Sequence, residues 1–143
     1  MPVANIHVLK GHDRAVLKQL LREVSAAFAR ITGSPIDRLQ VWIVEIDPEL
    51  YAISGEPADE VLATGARKDL EIPFVRLILM QGRPQSQVGA CISEISAVVA
   101  RVLGGDPARV RMYIERAEPD HWGIGGVPAS ILRRAEIEAR RAG

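Results

Sequence analysis

The sequence contains few of the residues that crosslinks and metal sites require. A single cysteine among 143 residues excludes an internal disulfide framework. The three histidines lack cysteine or carboxylate partners at ligand spacing, so no structural metal is expected. Positive and negative charges cancel to a formal net charge of zero. No basic stripe carries interleaved aromatic residues, so nucleic acid is not an expected partner.

Long apolar runs are also missing from the sequence. No apolar run approaches the roughly 20 residues that span a bilayer, so no membrane partner is expected. The N-terminus lacks the basic and apolar regions of a signal peptide, which favours a cytoplasmic location. A hydrophobic content of 48% is ordinary for a soluble globular protein, and the length predicts a single domain over residues 1–143.

What the sequence does contain is an internal repeat. The chain aligns with itself without a gap when it is shifted by 71 positions. The identical pairs are Pro2 and Pro73, Gly11 and Gly82, Arg30 and Arg101, Gly33 and Gly104, Arg38 and Arg109, Ile53 and Ile124, Gly55 and Gly126, Pro57 and Pro128, and Ala58 and Ala129. Such a repeat indicates a duplicated supersecondary unit. It gives copy one (residues 2–62), a polar connector (63–72), copy two (73–130) and a tail (131–143).

Each copy has the pattern of a strand, an amphipathic helix and a second strand. Copy one predicts strands over residues 2–9 and 39–46, with a helix that follows Asp13 as N-cap and ends at Gly33. Copy two predicts strands over residues 74–80 and 110–114, with a helix that ends at Gly104 and carries Cys91 on its core face. Parallel strands need such a crossover. The expected fold is therefore α/β, with tandem β-α-β units in a four-stranded sheet and two helices on one face.

Two features lie outside this pattern. Residues 121–126 form a glycine-rich turn, which predicts a small hairpin. Residues 129–141 predict a short basic helix that packs on a neighbouring subunit, with Arg133 and Arg134 facing solvent. Because the helices cover one face of the sheet, we expect the other face to be covered by oligomerisation.

The two copies differ in their chemistry. Pro2 directly follows the initiator Met1, whereas Pro73 lies in the middle of the chain. Copy two has arginines at two positions where copy one has other polar residues: Arg83 corresponds to His12, and Arg111 corresponds to Gln40. This difference suggests that one copy supplies a base and the other supplies an anion clamp.

Three segments resemble a known family. Residues 2–11 (PVANIHVLKG), 21–25 (LREVS) and 123–126 (GIGG) closely resemble 4-oxalocrotonate tautomerase, which is a single short unit. Over residues 2 to 134 the chain is similar to a fused, double-length member of the tautomerase superfamily. The resemblance implies the tautomerase fold, a homotrimer, a small carboxylate substrate, and acid–base chemistry by an N-terminal proline without a cofactor or metal.

The resemblance also assigns residues to the site. Pro2 matches the catalytic proline, Arg83 and Arg111 match the two substrate arginines, and Trp122 matches an aromatic wall. Copy one departs from this pattern at three positions, which together with Asp37 are candidate accessory residues: His12, Gln40 and Tyr51. The departures are tolerable if Pro2 draws its arginines from copy two, and the pocket around Pro73 is then expected to be catalytically silent.

The chemistry of Pro2 depends on the loss of Met1. Proline is small enough for Met1 to be removed, which leaves Pro2 with a secondary amine. A free α-amino group has a pKa of about 8. A cation about 5 Å away, at an effective dielectric constant of about 20, opposes protonation by about 3 kcal/mol and brings the pKa close to neutral, where a general base works best. If Met1 stays attached, the Pro2 nitrogen is an amide and cannot act as a base.

Three functions are compatible with these residues. The leading hypothesis is an isomerase that ketonises 2-hydroxydienoates or enolpyruvates. The rival is a lyase, because Asp37-Arg38-Leu39-Gln40 resembles a segment of malonate semialdehyde decarboxylase whose aspartate takes part in decarboxylation and hydration. Asp37 also suits a turn-capping role. A haloacrylate dehalogenase is disfavoured, since Met80 stands where those enzymes usually have an extra arginine. The third hypothesis is a non-catalytic protein that kept the fold.

Overall fold

The computed structural model describes residues 2–143 and has two β-α-β units of matching layout. The main strands are β1 (Val3–Leu9), β2 (Gln40–Ile46), β5 (Phe74–Met80) and β6 (Arg111–Ala117). Short hairpin strands are β3 (Ala52–Ile53), β4 (Glu56–Pro57), β7 (Gly123–Ile124) and β8 (Val127–Pro128). The helices are α1 (Arg14–Thr32), α2 (Ala58–Leu62), α3 (Arg67–Leu70), α4 (Gln85–Ala90), α5 (Ser96–Leu103), α6 (Ala129–Leu132) and α7 (Arg134–Ala142), with a π-helical segment, Cys91–Ile95, between α4 and α5.

The four main strands form one sheet in the order β2-β1-β5-β6. Within each copy the two strands are parallel, with Val3 opposite Gln40 in copy one and Phe74 opposite Arg111 in copy two. The two copies meet through the antiparallel pair β1 and β5, where Val3 lies opposite Ile78. A shift of 71 residues converts the strand pairing of copy one into that of copy two, so the two units have the same register. The predicted α/β architecture is confirmed.

One face of the sheet carries the core. Alternate strand residues such as Ile6 and Leu77 are fully buried against the apolar faces of α1 and of the helix that runs from α4 to α5. Leu20 and Cys91, which the repeat aligns, are both fully buried, as predicted for Cys91. Both long helices end where the sequence predicts, because Gly33 and Gly104 adopt the left-handed conformation that closes a helix.

The copy-two helix differs from the sequence expectation in its hydropathy. An 18-residue window within Gln85–Leu103 has a mean hydropathy of 1.3. By length and composition alone, this helix could therefore span a membrane. The prediction that no apolar segment approaches the length of a membrane span was therefore wrong. Helices that pack on the core of a soluble protein meet the same criterion, and this one lies against the sheet and α1.

The opposite face of the sheet is open. It exposes large apolar side chains from β2, β5 and β6, among them Trp42, Phe74 and Tyr113. Asn5 in β1 also has a buried Oδ1 atom that accepts no hydrogen bond from the described residues. This incomplete face agrees with the expectation that the sheet needs a partner.

Several boundaries differ from the predicted ones. Strand β6 extends to Ala117 rather than to residue 114. The C-terminal helix is broken at Arg133 into α6 and α7, since Arg133 has φ −116° and ψ 23°. Helix α7 packs on its own chain, with Ile137 buried against Met80. Docking of this helix on a neighbouring subunit stays a prediction. The glycine-rich hairpin is confirmed as β7 and β8.

Candidate active site

Pro2 is buried at the start of β1, where its carbonyl oxygen accepts a hydrogen bond of 3.1 Å from the Gln40 backbone N–H. It lines a cavity of about 90 Å³ together with the loop after α1, Met80 at the end of β5, Arg83 and helix α7. Both copies and the tail therefore contribute to the walls around Pro2. This arrangement agrees with the expectation that Pro2 uses residues of copy two.

Arg83 reaches this cavity because the chain turns sharply after β5 at Gly82, which has φ +95°. Its Nη1 donates to the Thr32 carbonyl at 2.9 Å and to Gln87 Oε1 at 2.8 Å, and Nη2 donates to Ser34 Oγ at 3.3 Å. Its Nε–H is buried and has no acceptor among the described residues. The guanidinium is thus held by three hydrogen bonds, while its buried Nε–H stays unused.

The charge of Arg83 is poorly compensated. Burial, and next the positive charge of Arg140, lower the pKa of Arg83 to about 10, so it remains a cation at neutral pH. Arg133 and Arg140 line the same cavity. Glu136 lines it too and pairs with Arg38 at 3.0 Å. The cavity wall therefore carries more positive than negative charge, which suits an anionic ligand.

The tail supplies residues that the sequence did not assign to the site. Arg133 was expected to face solvent but is partly buried in the cavity wall, whereas Arg134 is exposed as expected. Arg140 was missed altogether. A basic composition predicts a solvated helix, and only the burial of Ile137 fixes α7 against the Pro2 cavity.

Trp122 lies beside the Pro2 cavity rather than inside it. It lines an adjoining cavity of about 310 Å³ with Gln40, and the two cavities share Arg38, Ile124 and Arg133. Trp122 also packs against a cluster that contains Met80. Trp122 is therefore part of a small core and also lines a cavity that adjoins that of Pro2. Its role as an aromatic wall for the substrate stays a prediction.

Arg111 does not meet Pro2 within one chain. It lies opposite Phe74, whereas Pro2 precedes Val3, which lies opposite Ile78. These positions are about 13 Å apart along β5. The backbone N–H of Arg111 donates to the Pro73 carbonyl, and its exposed side chain donates to the Ala108 carbonyl at 2.8 Å. Arg111 therefore lies at the Pro73 end of the sheet.

The remaining candidates do not line the Pro2 cavity. Asp37 is exposed in the short 3-10 turn Ile36–Arg38 and is not among the residues that line the Pro2 cavity. Tyr51 packs with Leu9, and its hydroxyl lies 3.5 Å from the Ile72 carbonyl oxygen. His12 binds Glu71 at the far end of the molecule. Among residues 2–143 there is no group of three or more His, Cys, Asp or Glu side chains placed to hold a metal ion.

The fold and the two-copy cavity define a duplicated α/β enzyme of the kind that the sequence resembles. The family model described as "Tautomerase enzyme" matches residues 2–60 and again residues 73–130. The chain therefore belongs to the tautomerase enzyme family, with one family match in each copy.

Curated relatives match one short unit at a time. The 2-hydroxymuconate tautomerase of Pseudomonas fluorescens is 38% identical over 61 residues, which is 43% of this chain and 97% of that protein. The 2-hydroxymuconate tautomerase of Comamonas testosteroni is 32% identical over 63 residues, which is 44% of this chain and 100% of that protein. These relatives are single units, whereas this chain contains two.

Solved structures match the chain over nearly its whole length. The crystal structure of native fused 4-OT has a TM-score of 0.81 and 27% identity, covering 92% of this chain and 99% of that chain. A wild-type fused 4-OT solved as an asymmetric trimer has a TM-score of 0.80 at 22% identity, covering 92% and 99%. These similarities confirm the tautomerase fold predicted from the repeat.

Proposed function

We propose that this enzyme is a cofactor-independent keto–enol tautomerase in which Pro2, freed by removal of Met1, moves a proton within a 2-hydroxydienoate or enolpyruvate carboxylate. Met1 lies outside the described residues. The observation that carries the proposal is the shared cavity, in which the proline of copy one meets Arg83, the arginine of copy two. The family and its 2-hydroxymuconate tautomerase relatives support this activity.

The proposed reaction needs one proton carrier and one cation. The Pro2 amine accepts the proton of the substrate 2-hydroxyl group, and the electron pair of that O–H bond forms the carbonyl. The displaced π electrons then take the proton back from the amine to form a C–H bond, so no oxidant or other co-reactant is needed. Arg83 and the neighbouring arginines would hold the carboxylate and stabilise the negative charge of the dienolate.

The same cations support the role of Pro2 as a base. A positive charge near an amine favours its neutral form and lowers its pKa. Burial acts in the same direction, and Pro2 is buried. Arg83 and the tail arginines that line the cavity would therefore both bind the substrate and keep the Pro2 amine unprotonated.

We propose further that the protein is a homotrimer in which Arg111 reaches a Pro2 cavity of a neighbouring chain. The exposed apolar side chains on the open face of the sheet support assembly, as does the similarity to fused 4-OT proteins solved as trimers. Arg111 lies far from Pro2 in its own chain and is exposed, so a contribution to catalysis requires a second chain. We also propose that the protein is cytoplasmic.

The test is ketonisation of 2-hydroxymuconate, followed by ultraviolet absorbance, with intact mass measured to establish loss of Met1. Pro2→Ala should reduce kcat by two or more orders of magnitude because the secondary amine is lost. Pro73→Ala is the matched control, since it changes the corresponding residue of copy two and should leave turnover within a few fold. Full activity of a Met1-free Pro2→Ala enzyme would overturn the proposal.

The hypothesis that the protein is a lyase gains no support from the position of Asp37. Its carboxylate is exposed and lies outside the lining of the Pro2 cavity. Malonate semialdehyde is nevertheless the substrate to test if the Met1-free protein does not ketonise 2-hydroxymuconate. Decarboxylation that is lost in Asp37→Asn would then favour the lyase, and absence of both activities would favour a non-catalytic protein.

A further inference from the structure

The second copy of the fold has its own cavity, of about 220 Å³, around Pro73. The repeat offset relates its walls to those of the Pro2 cavity. His12, Leu103, Gly105 and Asp106 line it at the positions that correspond to Arg83, Thr32, Ser34 and Pro35. The two cavities are therefore copies of one site, and His12 takes the place of the arginine that we propose as the carboxylate-binding residue.

A carboxylate of the chain itself lies against His12. Glu71, which follows α3 in the connector, places Oε1 2.6 Å and Oε2 3.1 Å from His12 Nε2. A carboxylate only accepts hydrogen bonds, so Nε2 is the donor. The two side chains are 8% and 6% exposed, so this contact is largely shielded from solvent.

Glu71 also receives donors from copy one. The backbone N–H of Leu9 donates to Oε2 at 2.7 Å, and Arg67 Nη1 lies 3.7 Å from the same oxygen. Arg67 is itself positioned by hydrogen bonds to the carbonyls of Leu9 and Lys10. An imidazole, a main-chain N–H and a guanidinium thus converge on one carboxyl group.

These donors compensate for the burial of the Glu71 carboxylate. A buried carboxylate is strongly unfavourable unless it is paired and hydrogen-bonded, and the connector is polar enough to have remained in solvent. The connector instead folds into α3 and carries Glu71 into the cavity.

We propose that the Pro73 cavity is a carboxylate-binding site that is occupied by the chain's own Glu71. The connector delivers an internal ligand to the place that the repeat equates with the substrate region of the Pro2 cavity. Without the Glu71 side chain, the site would take a small monocarboxylate such as acetate or formate. The comparison with the substrate region rests on the proposed function, whereas the contacts of Glu71 lie in the Pro73 cavity itself and are tested there without any activity measurement.

The experiment is chemical rescue of Glu71→Ala in the full-length protein. Thermal unfolding is measured in sodium acetate and in sodium chloride at equal ionic strength, beside the wild-type protein. Acetate should raise the Tm of Glu71→Ala by several degrees relative to chloride and should leave the wild type nearly unchanged. Adding His12→Ala should abolish the effect, because it removes the principal donor. Isothermal titration of the same proteins should give a millimolar Kd for acetate only in Glu71→Ala.

A variant that fails to fold in chloride remains informative. The yield of folded Glu71→Ala after refolding is then compared in acetate and in chloride, and acetate should increase it several fold. Glu71→Gln serves as a second control, because its amide occupies the position of the Glu71 carboxylate beside His12 and should block acetate from that position. Equal Tm and equal refolding yield of Glu71→Ala in the two salts, or an acetate effect of the same size in the wild type, would overturn the proposal.

Discussion

Arg140 in the last turn of α7 and Arg83 after β5 line the same cavity, and the charge of Arg140 helps to lower the pKa of Arg83. Two cations are held near each other where a partner carboxylate would ordinarily be expected. The tail therefore adds to the positive charge around Pro2 instead of neutralising it.

Replacement of Arg140 should weaken substrate binding. We expect Arg140→Gln to raise KM for 2-hydroxymuconate by about three- to tenfold, as the loss of a half-buried charge contact would, with a smaller change in kcat. Steady-state kinetics measure both constants. Arg141→Gln is the matched control, because Arg141 is an exposed neighbour on the same helix and does not line the Pro2 cavity. Equal effects of the two substitutions would contradict the assignment of Arg140.

Replacement of Glu136 should have the opposite effect on KM. Glu136 is the carboxylate among the described residues that line the Pro2 cavity, and it pairs with Arg38. Glu136→Gln should lower KM for the dianionic substrate about two- to fivefold. It should change the free energy of unfolding by less than about 1 kcal/mol, because the pair is partly exposed. The effect should shrink as salt is raised, whereas a KM shift that is independent of salt would point to a change of shape instead of charge.

Mixed trimers would test the proposed position of Arg111. Pro2→Ala and Arg111→Ala chains should each be nearly inactive alone if Arg111 acts on the Pro2 of a neighbouring chain. Unfolding and refolding them together in equal amounts should restore about one quarter of the wild-type activity, because that fraction of sites combines an intact Pro2 with an intact Arg111. If Arg111 acts within its own chain, the mixture should be as inactive as its components.

Cys91 should be chemically silent and should make stability depend on alkaline pH. Burial, opposed by the nearby Arg83, raises the pKa of the Cys91 thiol from 9.0 to about 11. The Cys91 thiol ionises at lower pH in the unfolded chain than in the native protein. Its contribution to the free energy of unfolding is therefore constant below pH 9 and falls by up to about 1.4 kcal/mol per pH unit between pH 9 and pH 11.

Two measurements check this prediction. Native protein should resist iodoacetamide at pH 8 and react after unfolding in guanidinium. In Cys91→Ala the decline of stability between pH 9 and pH 11 should be shallower than in the wild type. Rapid alkylation of the native protein at pH 8 would show that the thiol is accessible.

The sequence predicted the framework because its signals are local. Alternating apolar residues mark the strands, and Gly33 and Gly104 end the helices in the same way in both copies. The site was predictable only where the repeat aligned it, as for Arg83. The burial of Glu71 was not, because it depends on His12 and on the Leu9 N–H, both more than 55 residues earlier in the chain. The position of Arg140 likewise depends on long-range packing of Ile137, while its own sequence environment is that of a solvated helix.

The connector joins the two copies covalently, and the antiparallel contact of β1 with β5 joins them into one sheet, so that one chain carries two unlike cavities. In an assembly of identical short chains, every substitution appears in all sites at once. A tandem chain escapes that constraint, since His12 and Arg83 occupy related positions yet can change independently. The Pro2 cavity is lined by several arginines, whereas the Pro73 cavity encloses a carboxylate of its own. Duplication within one chain thereby allows two related cavities to carry different side chains.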